Sequence, residues 1–291
     1  MLERILGIVF PIYGIVAVGF FYGRVKKPDM AFANQLNMAI FVPALVFAAL
    51  ASKSFDIMNH VDLLIGAMIV VLGSGVLAWP VARALGVAPN TFVPPMMFTN
   101  SGNMGLPLAV LAFGEAALPA AVVLFFVENT LHYALGTWML DRQTKLVMLW
   151  RVPVIAAAIG GLAVSLLHIE VWPPLWIGVK MLGDVSIPLL LFSLGVRLTD
   201  SPLGDWKISM VGAVTAPASG LLMAMAANAV LGLEGRDAAM LLLFGALPPA
   251  VLNYVFAEKY HQEPARVASL VMVGNTFSLL TIPLCLAWVL R

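Results

Sequence analysis

Residues 98–108 read FTNSGNMGLPL, inside an apolar run that extends from Phe92 to Phe113. Two asparagines, a serine, two glycines and a proline stand where a membrane-crossing helix would present hydrocarbon. The rest of the chain makes that setting plain. Its 291 residues are 62% hydrophobic and 11% charged, with a mean hydropathy of +0.98, whereas soluble domains carry about 25% charge. This is the composition of an integral membrane protein in a lipid bilayer. The net charge of +1 offers no polyelectrolyte surface for nucleic acid. Cys285, the one cysteine, excludes an internal disulfide, and it lies among Leu284, Leu286 and Ala287 as a packing residue. The first apolar run, Ile5 to Tyr22, is too long for a signal h-region and has its basic cluster after it, so it reads as a retained span.

A spanning helix needs about 20 mainly apolar residues. By that criterion the chain is all-α with ten spans, near 4–23, 31–52, 61–85, 91–114, 118–140, 152–169, 177–198, 207–231, 237–257 and 266–290. Lys and Arg mark the cytoplasmic side. Arg24, Lys26, Lys27, Arg83, Arg142, Lys145, Arg151, Arg197, Lys207, Lys259 and Arg266 fall on one side, against Arg4, Lys53, Arg236 and Arg291 on the other. Both termini are therefore expected outside, with the protein multi-pass in the plasma membrane.

The halves resemble each other. FVPALVFAAL (41–50) and SIPLLLFSLG (186–195) align Pro43 with Pro188 and Phe47 with Phe192; Pro11 and Pro153, and Asn129 and Asn275, recur at nearly the same offset. Five spans separate each pair, and because five is odd the second half enters the membrane inverted. This predicts one repeat over 1–140, a cytoplasmic connector over 141–151, and a second repeat over 152–291.

The opening stretch thereby acquires a counterpart. Span four holds Pro107 and span nine holds Pro248 and Pro249 in FGALPPAVLNYVFA (244–257). Proline removes a backbone N–H and clashes with the carbonyl four residues back. Pro107 would free the carbonyl of Asn103, and Pro248 and Pro249 those of Phe244 and Gly245, while Gly102 and Gly105 would ease the departure from helical angles. Paired interrupted helices point to a transport site. Thr99, Asn100, Ser101 and Asn103 would then face an enclosed space, since irregular backbone at this depth needs protein or water around it. Each break also exposes a helix N-terminus, which attracts anions. Asn103 would add amide donors at the first break, and Asn253 stands one turn into the resumed helix after Pro249.

Span five carries Glu128, Asn129, His132 and Tyr133 on neighbouring faces of one helix. Asn129 and Tyr133 are neutral hydrogen-bonders suited to a substrate, whereas Glu128 and His132 are candidates for proton coupling or for a mutual pair that serves packing. Lys180 and Asp184, at i,i+4, read as an interfacial ion pair. Asn275 suits either cavity lining or interhelical hydrogen bonding. No nucleophile–base or metal-spaced constellation appears, so no catalytic residue, metal or cofactor is expected.

With the ten-span pattern, TNSGNMGLPL, ALPPAVLNYVFA and the Asn129-x-x-x-Tyr133 pair together, the chain resembles the auxin efflux carrier family, which groups plant PIN-type carriers with bacterial permeases for malonate, malate and similar acids. The resemblance implies an elevator-type carrier. Spans one, two, six and seven would form a scaffold that makes a homodimer, and the others a moving transport domain with two crossed broken helices. Substrate carboxylates would lie beside Asn103, Asn129 and Tyr133, with Pro107 and Pro249 as the crossing points. The plant motif commonly reads Asn-Pro-Asn-Thr-Tyr, and this chain departs from it at both breaks, which favours a small bacterial-type carboxylate over auxin. Two other readings carry distinct expectations: a sodium-coupled symporter of the bile-acid-carrier kind, and a membrane sensor that binds without translocating.

Overall fold

The computed structural model describes residues 2–52, 55–143, 151–199 and 205–290. Lys53, Lys145 and Arg291, which entered the charge count, and most of the connector lie outside these residues. Among the described residues the fold is helical, with no strand beyond one isolated β-bridge. In chain order the helices are α1 (Leu2–Lys26), α2 (Ala31–Leu50), α3 (Ile57–Ala84), α4 (Pro89–Met97), α5 (Ser101–Phe113), α6 (Glu115–Leu140), α7 (Pro153–Leu166), α8 (Pro173–Arg197), α9 (Trp206–Leu231), α10 (Gly235–Gly245), α11 (Leu252–Lys259) and α12 (Pro264–Val289). Seven of them, α1, α2, α3, α6, α8, α9 and α12, are long and apolar enough to cross a membrane. The other three apolar runs give shorter helices: α7 alone, and the pairs α4/α5 and α10/α11.

The helices pack in two groups. In the first, α1 lies along α8, and α2 packs against both α7 and α8. In the second, α3 and α9 run together at the centre, with α4, α6, α10 and α12 around them. The contacts are reciprocal between the halves: α3 holds α4 as α9 holds α10, and α3 meets α6 as α9 meets α12. Glycines stand at several close approaches between helices. A Cβ added at Gly195 of α8 would overlap the Val16 carbonyl of α1, and one added at Gly220 of α9 would overlap the carbonyl of Gly245 in α10. Small residues let backbones meet in this way, and such packing stands in for the hydrophobic drive that lipid removes.

Both expected interruptions exist, but the first is not at Pro107. α4 ends with the Phe98 N–H donating to the Pro94 carbonyl at 2.9 Å, and α5 starts at Ser101, so the break spans 98–100. Pro107 lies buried two residues into the α-helical part of α5 and does not end the helix. The preceding residues, Ser101–Gly105, form a π-turn in which the Leu106 N–H reaches Ser101. A wide turn of that kind accommodates the proline ring without ending the helix. The same device precedes Pro43, where the π-turn Asn37–Phe41 closes with the Val42 N–H on Asn37. Gly102 and Gly105 keep negative φ. Gly105 instead makes room for Leu247 and Phe244, which a Cβ would meet at 2.9 and 3.0 Å.

The second break, between Gly245 and Leu252, falls around Pro248 and Pro249 as expected. The Phe244 carbonyl is not freed, however, because the Leu247 N–H folds back onto it at 3.3 Å.

Candidate functional site

The two breaks cross each other. Thr99 and Pro249 form an antiparallel β-bridge, with the Asn100 N–H donating to the Pro248 carbonyl at 2.7 Å and the Ala250 N–H donating to the Phe98 carbonyl at 2.9 Å. These bonds exchange under a swap of 99 for 249, so the crossing has local two-fold character. Unpaired backbone groups at such depth would cost several kcal/mol each. Here each extended segment satisfies the other, and the two prolines have no N–H to leave stranded.

Two asparagines fasten the crossing. Asn253 Nδ2 donates to the carbonyls of Phe98 at 2.9 Å and Ala250 at 3.0 Å. Asn275 of α12 donates to the Pro249 carbonyl at 2.9 Å and to Val271 at 2.8 Å, and its Oδ1 accepts from Asn100 Nδ2 at 2.9 Å. Asn275 therefore ties helices together, and the open choice between that role and cavity lining closes in favour of the first. Asn253 is likewise a clamp, turned away from the cavity described next.

Beside the crossing lies a cavity of about 320 Å³. One wall comes from around the crossing: Thr99 and Asn100 of the first break with Ser101 and Asn103 of α5, Glu128, Asn129, His132 and Tyr133 of α6, and Ala250 and Val251 of the second break with Leu252 of α11. The facing wall comes from the first group: Asn34, Gln35 and Met38 of α2, and Leu190, Ser193, Leu194 and Arg197 of α8. The structure thus brings together Asn100, Ser101, Asn103, Glu128, Asn129, His132 and Tyr133. It leaves Pro107, Pro249 and Asn253 out of the lining; Pro249 is a crossing point, Pro107 is eight residues beyond Thr99, and Asn253 spends its amide on the Phe98 carbonyl.

Several buried polar atoms at the cavity wall have no hydrogen-bond partner among the described residues: Glu128 Oε1, Asn129 Nδ2 and Ser193 Oγ. Glu128 is 5% exposed and lies against Thr99 and Ser101. His132 is stacked on Phe98 with ring centroids 4.2 Å apart and meets the Phe256 edge at 5.1 Å. The two ionisable groups therefore address different neighbours, and no ion pair joins them among the described residues. Tyr133, partly buried, packs its ring edgewise on Phe256. Asn103 and Asn253 each stand four residues past a bridging residue, yet only Asn253 is consumed by the crossing. The Lys180–Asp184 pair is present at 3.5 Å, well exposed and remote from the cavity lining.

The α2 and α8 wall was not foreseen from the chain. Its signal was present in α8: Leu190, Ser193, Leu194 and Arg197 follow the i, i+3, i+4, i+7 spacing of one helical face, so Arg197 continues the face that Ser193 begins.

Comparison with known proteins identifies relatives among membrane transporters. The profile of the membrane transport protein family matches residues 141–286. A Rhizobium meliloti protein named "Putative malonate transporter" is 24% identical over 97% of this chain and 94% of its own length. An uncharacterized transporter of Methanocaldococcus jannaschii is 23% identical over 98% of both chains. Auxin efflux carrier component 6 of Arabidopsis thaliana is 30% identical over 35% of this chain and 18% of its own. The chain belongs to the membrane transport protein family, that of the auxin efflux carriers, and is a multi-pass membrane transporter rather than an enzyme.

Proposed function

We propose that the protein is a secondary transporter that moves small organic carboxylate anions across the plasma membrane by alternating access at the crossing of the two broken helices. The observation that carries this reading is the cavity itself: it adjoins paired helix breaks, and the wall beside them carries the neutral donors Asn103, Asn129 and Tyr133, with the Asn129 amide unpaired. Neutral donors suit reversible binding. Two or three charge-assisted bonds at about 1.5–3 kcal/mol each correspond to micromolar to millimolar affinity, which permits release. The name of the rhizobial relative supports a short dicarboxylate such as malonate.

In this reading all ten apolar runs cross the bilayer as two inverted five-span repeats, 1–140 and 152–291, with both termini outside. The group α1, α2, α7 and α8 serves as scaffold and, through it, as the homodimer face; the group around α3 and α9 moves. Reciprocal packing between the halves supports this division. The cavity wall includes Asn34, near the start of α2, and Arg197, at the end of α8; Lys26 ends α1 and Lys27 follows it, a few residues before α2 begins, which fits a state open to the cytoplasm. Asn103, Asn129 and Tyr133 would hold the carboxylate, with Asn100 and Ser101 shaping the floor.

Counterflow of labelled malonate in proteoliposomes tests the reading: accumulation driven by unlabelled malonate on the far side is expected, and binding without counterflow would overturn it. Each charge crossing 100 mV is worth about 2.3 kcal/mol, so uptake into a negative interior needs a cotransported cation. Glu128 is the proposed proton carrier, because its carboxyl borders the cavity and retains an unpaired oxygen. Proton-coupled uptake should quicken as the outside is made more acidic. Glu128→Gln should flatten that profile without abolishing exchange, and an unchanged profile would remove Glu128 from coupling. Runs without sodium decide whether sodium takes that role instead.

A further inference from the structure

We propose that Ser193 and Arg197 of α8 form a second anion subsite, which takes the distal carboxylate of a dicarboxylate and sets the preference for two charges over one. The inference rests on the carboxylate-transport reading above and deepens it. α8 packs against the π-turn Ser101–Gly105, which carries Asn103. From that contact Leu190, Ser193, Leu194 and Arg197 extend along one face of the cavity. At about 1.5 Å per residue, Arg197 stands about 10 Å along α8 from Leu190, roughly two turns nearer the α2 end of the cavity wall.

The two side chains offer complementary chemistry. Ser193 is 4% exposed and its Oγ has no hydrogen-bond partner among the described residues, so a donor sits at the wall already desolvated. Arg197 is the one lysine or arginine among the cavity-lining residues. It is partly buried and faces Tyr254 and Glu258 of α11. Guanidinium groups pair with carboxylates through two parallel N–H bonds, a geometry that lysine does not reproduce. The opposite wall supplies the unpaired Asn129 amide for the proximal carboxylate. A monocarboxylate would use only that second wall.

The placement also has a mechanical consequence. Ser193 and Arg197 belong to the helix group proposed as scaffold, whereas Asn103 and Asn129 belong to the group proposed to move. The bond to Arg197 would then exist only in the conformation seen here, so a dianion would favour this state over the alternative and a monoanion would not. A ligand shifts such an equilibrium by its difference in affinity for the two states.

The test compares malonate with propionate, which has the same number of carbons and one charge fewer, by calorimetric titration of the purified full chain. Wild type should favour malonate. Arg197→Gln should weaken malonate by about 10- to 100-fold and leave propionate nearly unchanged, with Arg197→Lys intermediate and Ser193→Ala losing a few-fold for malonate alone. An arginine that merely caps the C-terminal end of α8 would lower the thermal midpoint and leave the malonate-to-propionate ratio alone; that ratio unchanged in Arg197→Gln overturns the proposal. Should that variant lose its fold, the ratio in Arg197→Lys decides in the same way. Wild type binding neither acid would overturn the carboxylate reading and the subsite with it, whereas wild type binding both equally would overturn the subsite alone.

Discussion

Replacing Asn103 with alanine is expected to weaken binding of a carboxylate substrate by about 100-fold or more and to abolish counterflow, while the protein still inserts and folds. The contrast with Asn253 supports both halves of that expectation. The two asparagines hold equivalent places after the bridging residues Thr99 and Pro249, but Asn253 donates to the carbonyls of Phe98 and Ala250, whereas Asn103 lines the cavity and its side chain takes no part in the bonds that fasten the crossing. Removing Asn253 would strand the crossing; removing Asn103 takes nothing from it. Under the proposed function its amide would make one or two bonds to an anion, at about 1.5–3 kcal/mol each, and 1.4 kcal/mol is a factor of ten. Titration of Asn103→Ala with malonate, alongside its thermal midpoint, checks the two halves separately. Wild-type affinity in a well-folded variant would remove Asn103 from the site and shift attention to Asn129 and Tyr133.

How far such a site can be read from a chain depends on whether its cause is local. The apolar runs were legible because spanning length and hydropathy are properties of consecutive residues. The polar cluster from Thr99 to Asn103 and the α6 face from Glu128 to Tyr133 were legible because lipid makes polar atoms conspicuous and helical spacing says which of them lie together. Pro248 and Pro249 marked their break for the same local reason. Pro107 misled, because the π-turn Ser101–Gly105 carries the helix past it, and the break lies instead where residues 98–100 pair with a segment 150 residues away in the Thr99–Pro249 bridge. Asn253 looked like a candidate ligand, and Asn275 like cavity lining or glue with equal right; only the position of carbonyls on other segments assigns them to the crossing. Arg197 was hidden differently. As a basic residue at the end of a span it satisfied the positive-inside pattern completely, and the helical spacing that joins it to Ser193 does not say that their face meets a cavity formed with α5 and α6.

The largest stability effect should come from Gly220→Ala. Within a helix, glycine to alanine ordinarily stabilises by up to about 1 kcal/mol, because alanine loses less backbone entropy. At Gly7 of α1 nothing lies within 4 Å of the added methyl, so Gly7→Ala should gain a little or change nothing. At Gly220 the sign reverses. The new Cβ would overlap the carbonyl oxygen of Gly245, with that residue's carbon and Cα at 2.8 and 3.0 Å. All three are backbone atoms, which cannot rotate aside. α9 and α10 would have to separate, and overpacking of this kind costs about 1–3 kcal/mol, occasionally more. For a domain of this size about 3 kcal/mol corresponds to roughly 6–12 °C in thermal midpoint. The damage would not stay at the interface, because Gly245 ends α10 three residues before Pro248, whose carbonyl holds the Asn100 N–H. Gly220→Ala should therefore lower the midpoint and weaken malonate binding together, whereas Asn103→Ala should affect binding alone. Gly220→Ala with the midpoint of wild type would mean that the α9–α10 contact yields without cost, and that the crossing is not held from this side.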